Sequence, residues 1–210
     1  MKTSVFALLI CCVSACVMED AVSENSSNDV DGNVGNLALR EADSDKLINV
    51  REVASLPVGI TFGPVRLIAQ NSQKCLDVTG GPRATGDGVP VQQWDCLSSR
   101  PANQLWDLRP TGDGLSIYIT ARHSGKCLDV TGGPGATGNG VFVQQFTCLP
   151  DRDNRNQRWA ANPSDNIFAI HSGRCLDVRG GPGATGNGVR IQQWDCFLPA
   201  RTNQVWNIAM

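Results

Sequence analysis

The sequence predicts an all-β domain built from three copies of one unit, and three observations carry that reading. A stretch from Cys75 to Cys96 returns from Cys127 to Cys148 and again from Cys175 to Cys196. Each copy opens on Cys-Leu-Asp-Val, closes on Gln-Gln-aromatic-x-Cys, and is followed within a few residues by Asn-Gln-x-Trp. A fixed period of about 50 residues makes the last two thirds of the chain one supersecondary unit repeated. Composition is the second observation: 22 glycines and few strong helix formers in the repeats favour strands and turns. Pattern is the third: short alternating runs rich in β-branched residues are separated by Gly, Pro, Asn and Ser.

The start of the sequence reads as an export signal. Met1 and Lys2 precede an apolar run from Val5 to Val17 broken only by Ser14, which reads as a signal peptide over residues 1–15 and is too short for a membrane span. Val13-Ser14-Ala15-Cys16 resembles the lipobox of bacterial lipoproteins, in which the cysteine is acylated. Cysteine arithmetic agrees. Of 9 cysteines, Cys11 and Cys12 leave with the signal, six lie in the repeats, and Cys16 is left over. An acylated Cys16 would anchor the chain to the bacterial cell envelope membrane; the alternative is plain secretion. Either route delivers the paired cysteines to an oxidising compartment.

Residues 16–62 are expected to be a flexible acidic linker. Across 17–60 the acids outnumber the bases nine to three, and Ser, Asn, Asp and Gly dominate. Low hydrophobicity with net negative charge reads as a tether. Asn25-Ser26-Ser27 is a glycosylation sequon only in a eukaryotic secretory pathway. Leu47 to Ile60 is more apolar and is expected to pack against the first repeat. The repeats themselves, about 63–110, 111–162 and 163–210, carry only a small surplus of bases, which excludes a nucleic-acid footprint. A domain of ~150 residues buries roughly 70% of its unfolded surface and sustains a real core.

Each repeat reads as four strands, in the first near Val65–Gln70, Lys74–Val78, Val89–Asp95 and Gln104–Leu108. Asn71-Ser72, His123-Ser124-Gly125 and His171-Ser172-Gly173 fill the first turn, so both histidines are expected to be exposed turn residues rather than metal ligands or catalytic bases. Six repeat cysteines allow fifteen connectivities. Pairing within repeats, Cys75–Cys96, Cys127–Cys148 and Cys175–Cys196, treats all three alike. Each bridge would close a loop worth roughly 3 kcal/mol by chain entropy. Gly133-Pro134-Gly135-Ala136-Thr137-Gly138 and Gly181-Pro182-Gly183-Ala184-Thr185-Gly186 match G-x-G-x-x-G, but a dinucleotide site needs a helix after the glycines. Here a strand ending in Gln-Gln-aromatic follows, and Arg83 replaces the second glycine in the first repeat.

Three copies of Cys-Leu-Asp-Val, Gln-x-aromatic-x-Cys and Gln-x-Trp resemble the R-type, ricin B-chain-like lectin domain. The resemblance covers about residues 63–210 and implies a β-trefoil, six strands in a short barrel capped by three hairpins. It implies that Trp106, Trp159 and Trp206 are core residues. It also implies up to three sugar pockets, in which the Asp accepts bonds from sugar hydroxyls, the aromatic residue stacks on the sugar ring, the Asn bonds a hydroxyl and the Gln steadies the Asp. Carried over, the first pocket is Asp77, Gln92, Trp94, Asn103 and Gln104; the second is Asp129, Gln144, Phe146, Asn156 and Gln157; the third is Asp177, Gln192, Trp194, Asn203 and Gln204. Phe146 has a smaller face and no N–H, so the second pocket should be weakest. The expected function is non-catalytic binding of galactose-type or polysaccharide glycans by a monomer, with no cofactor, metal or catalytic residue. The competing class is a trefoil used for protein contacts, such as a protease inhibitor.

Overall fold

The computed structural model describes residues 49–150, 154–164 and 166–210. The signal peptide, Cys16 and most of the acidic linker lie outside the described residues. Four strands arise from each repeat. The first supplies β1 Phe62–Ala69, β2 Cys75–Val78, β3 Val89–Trp94 and β4 Trp106–Pro110. The second supplies β5 Ile117–Ala121, β6 Cys127–Val130, β7 Val143–Phe146 and β8 Arg158–Ala161. The third supplies β9 Ile167–Ala169, β10 Cys175–Val178, β11 Ile191–Trp194 and β12 Trp206–Ala209.

Six strands make a closed barrel. β1 pairs with β12 and β4, β4 with β5, β5 with β8, and β8 with β9, all antiparallel. A bridge between Asn166 and Val205 completes the ring. Closure removes the free strand edge that would otherwise recruit another chain. The other six strands form the hairpins β2–β3, β6–β7 and β10–β11. The hairpins meet one another through β3–β7 pairing and the bridges Gln92–Arg190 and Phe142–Gln192. This is the β-trefoil.

Trp106 and Trp159 are fully buried and Trp206 nearly so. Each indole N–H donates to the carbonyl of the Leu in Cys-Leu-Asp-Val, at 3.0 Å to Leu76, 2.9 Å to Leu128 and 3.0 Å to Leu176. A buried indole needs such an acceptor. The disulfides are Cys75–Cys96, Cys127–Cys148 and Cys175–Cys196, each with Cα atoms 5.1 Å apart.

Two expectations change. The fourth strand of the first repeat opens at Trp106 and not at Gln104; Ala102–Gln104, Arg155–Gln157 and Thr202–Gln204 are single 3-10 turns. Successive side chains of a strand point to opposite faces. Only a tight turn lets Asn103 and Gln104 both reach Asp77. The second change is at the start of the domain. Val50–Ala54 is a helix, α1, rather than the end of a flexible linker, so order begins before residue 63. Asn49 accepts the Glu52 N–H at 3.0 Å and the Glu52 carboxylate reaches back to the Asn49 N–H at 3.5 Å, a capping box. Val50, Val53 and Ala54 are buried, and α1 packs on β4, β5 and β8, straddling the first two repeats rather than the first alone.

Candidate functional site

Hairpin register creates the site three times. Asp77 lies directly across from Gln92, Asp129 from Gln144 and Asp177 from Gln192. Gln92 Nε2 donates to Asp77 Oδ1 at 2.9 Å, while Asn103 Nδ2 and Gln104 Nε2 donate to Oδ2 at 2.8 and 3.1 Å. Around Asp129 the corresponding distances from Gln144, Asn156 and Gln157 are 2.9, 2.8 and 2.9 Å. Around Asp177 those from Gln192, Asn203 and Gln204 are 2.8, 2.7 and 2.9 Å. The structure thus brings together every polar residue the sequence assigned to each pocket.

Asp77, Asp129 and Asp177 are 5%, 3% and 3% exposed. Burial pushes each pKa above the ordinary aspartate range, and the three amide donors pull it back without overcoming the burial. An ionised carboxylate offers about four acceptor positions, and the protein uses three. One lone pair of Oδ1 remains. The Asn also serves the cage. Asn103 Nδ2 is committed to Asp77 and to the Val78 carbonyl at 3.1 Å, while its Oδ1 has no partner in the protein. Asn156 and Asn203 repeat this. Each Asp Oδ1 therefore keeps one acceptor position, which suits a hydroxyl donor.

The aromatic residue forms one wall. The first cavity, about 420 Å³, is lined by Asp77, Gly80, Gly81, Pro82, Gln92, Trp94, Leu97 and Asn103 among others. The third is about 480 Å³ and the second only about 220 Å³, with Phe146 in place of the indole. Trp94 is 38% exposed and so offers a free face. Gly188 and Gly140, from neighbouring repeats, lie against Trp94 and Trp194: an added Cβ would stand 3.9 and 3.6 Å from the rings. Their φ values of +80° and +81° also suit glycine.

Residues 63–206 match the model of the ricin-type beta-trefoil lectin domain. The chain belongs to this family. Over 67 residues, 32% of this chain, it is 40% identical to an agglutinin of Ricinus communis. Over 84 residues, 40% of this chain, it is 32% identical to beta-galactoside-specific lectin 2 of Viscum album. The matched stretches span only 10% and 12% of those longer proteins. The crystal structure of ThreeFoil, a designed threefold-symmetric protein, is 33% identical with a TM-score of 0.60, covering 70% of this chain and 97% of that one.

Within this lectin domain the glycine-rich loops are not dinucleotide sites; each runs into β3, β7 or β11. They are latches between repeats, a role the sequence reading missed. Gln145, buried in the second repeat, donates through Nε2 to the carbonyls of Ala84 and Gly86 in the first, at 2.7 and 2.8 Å. Gln193 does so to Ala136 and Gly138, and Gln93 to Ala184 and Gly186, which closes the circle. Asp87, Asn139 and Asn187 reinforce it by accepting the backbone N–H groups of Thr147, Asp195 and Asp95 at 2.7, 2.8 and 2.9 Å. The histidines belong to the same latch. His123 and His171 are half-buried, not exposed, and bond the carbonyls of Ala84 and Ala136 at 3.1 and 3.2 Å. Burial pushes the His171 pKa below its usual range. The signal available was the second Gln of Gln-Gln, present in all three copies.

Proposed function

We propose that the domain is a non-catalytic glycan-binding module with up to three pockets, directed at galactose-type sugars or polysaccharides that display them. The observation that carries this is the threefold recurrence of a caged carboxylate beside an aromatic wall. A sugar hydroxyl donates to the open lone pair of the Asp Oδ1. The apolar face of the ring lies on Trp94, Phe146 or Trp194. The name of the Viscum album relative supports a galactoside. The closed barrel, with no free edge, supports action as a monomer.

The test is calorimetric titration with methyl β-galactoside. Trp94→Ala and Trp194→Ala each remove a stacking surface without touching the buried cage, and each should remove one site. Phe146→Ala should change binding least. A folded Trp94→Ala/Trp194→Ala double variant that binds as the wild type does ends the reading.

The address is part of the same proposal. Acylation of Cys16 would hold the lectin at the bacterial envelope, with the acidic segment as spacer. The lipobox resemblance and the odd cysteine left over by the count support it. Several acyl chains on one terminus exceed what stable anchoring requires. Cys16→Ser should move the protein from the membrane to the soluble fraction. A wild type that is already soluble and unacylated means ordinary secretion.

A further inference from the structure

The third pocket differs from the other two in charge. The position held by Thr79 and Thr131 in the first two repeats is Arg179, and that held by Pro101 and Asn154 is Arg201. Both arginines are exposed and line the cavity with Asp177, Gln192, Trp194 and Asn203. Among the described residues, the first and second cavities have no cationic lining residue, and their one charged group is the caged Asp.

Among the described residues, Lys74, Lys126 and Arg174 pair with Asp95, Asp87 and Asp195, but Arg179, Arg190 and Arg201 have no carboxylate partner. Aromatic faces hold them instead. The Arg201 guanidinium stands 3.7 Å over the Phe197 ring. Arg179 lies across the β10–β11 hairpin from Arg190, its N–H donating to the Arg190 carbonyl at 3.1 Å, and both guanidinium groups approach Phe142, at 5.5 and 4.4 Å. Like charges directly opposite one another in a hairpin repel. Contact with the ring offsets part of that repulsion, and an anion would offset more. Asp177, which interacts electrostatically with Arg201, supplies one carboxylate against two lining guanidinium groups, so the lining keeps a positive surplus.

The geometry points to an acidic sugar as the ligand of the third pocket: a ring bearing a carboxylate or a sulfate ester, seated on Asp177, Asn203 and Trp194, with its anionic group on Arg179 and Arg201. This rests on the carbohydrate reading above and adds that the three pockets are not equivalent. Guanidinium forks match both anions bidentately. The first pocket, with Leu97 and Pro101 at its rim, takes the neutral ring.

The test compares methyl β-galactoside, its 6-sulfate and methyl β-galacturonide by calorimetry on the full mature chain, with inorganic sulfate as a fourth probe. At low ionic strength at least one acidic sugar should bind about tenfold tighter than the neutral one. The advantage should shrink with added salt, since the arginines are exposed. It should fall to near parity in Arg179→Gln/Arg201→Gln, and vanish in Trp194→Ala but persist in Trp94→Ala. Preference for one anion only supports the proposal and names the anion. A wild-type ratio near one with neutral binding intact overturns this inference alone. So does a preference that survives the double arginine variant, or inorganic sulfate competing as well as the sulfated sugar. Absence of binding to every sugar overturns the carbohydrate reading together with it.

Discussion

The carboxylate of Asp77 takes three amide N–H groups while the residue is 5% exposed. Removing it is therefore not a clean deletion of a sugar contact. Asp77→Ala leaves Gln92, Asn103 and Gln104 with unpaired buried donors, which costs about 1–3 kcal/mol beyond the lost site. Denaturant unfolding should show this loss for all three Asp→Ala variants, and much less for Trp94→Ala. The same burial sets the pH dependence. Each folded-state pKa is raised above its unfolded value. Between those values the folded chain holds more protons, so the stability these groups contribute is present at low pH and declines as pH rises through the raised pKa. Glycan binding runs the other way, because a protonated carboxyl loses acceptor strength. Affinity should fall on acidification at a pH above ~3.9, the ordinary aspartate value. Calorimetry against pH, beside thermal melts, checks both slopes. An acid edge of binding at or below that value would show that the cage donors outweigh burial.

The strands, hairpins and disulfides were legible one element at a time, because their signals are local. Alternation, Gly-Pro turns and Cys spacing all act within about 20 residues, and the structure returns β2, β3 and the Cys75–Cys96 bridge nearly where they were expected. The latch was not legible. Gln145 bonds carbonyls 61 and 59 positions away, and an amide beside another amide carries no mark of which one turns inward. The turn position of the histidines was legible but their burial was not, since a turn reads as exposed until a neighbouring loop covers it. The latch carries its own expectation. Gln145→Ala leaves the Ala84 and Gly86 carbonyls without their amide donor and should cost about 1–3 kcal/mol. The element-scale comparison is Cys127→Ser/Cys148→Ser, which reopens a loop of sequence separation 21 and should cost about 3 kcal/mol. Both are read from denaturant midpoints. Equal folding of the Gln145→Ala variant and wild type would mean that the loop is held without the latch.

At the scale of the molecule, the threefold plan explains both what the family resemblance conveyed and what it did not. The barrel and the three cages follow from repetition, whereas α1 precedes the repeats and was hidden inside an acidic segment whose average composition masks Val50, Val53 and Ala54. The plan also decides how the lectin works. Each pocket sits on its own repeat and offers a few hydrogen bonds and one stacked ring, so a single site should be weak, near millimolar or about −4 kcal/mol. One short sugar cannot bridge pockets borne by three separate hairpins. A polymeric or surface-displayed glycan can engage several, and linked binding then adds ~10²-fold or more. Retention on a polysaccharide column should therefore fall far more than proportionally when Trp94→Ala and Trp194→Ala are combined, while Phe146→Ala, at the cavity of about 220 Å³, changes it least. Calorimetric stoichiometry with the monosaccharide, measured on the same variants, counts the sites that remain. If retention drops only in proportion to that count, the pockets act independently, and the rigid trefoil gives the lectin no avidity.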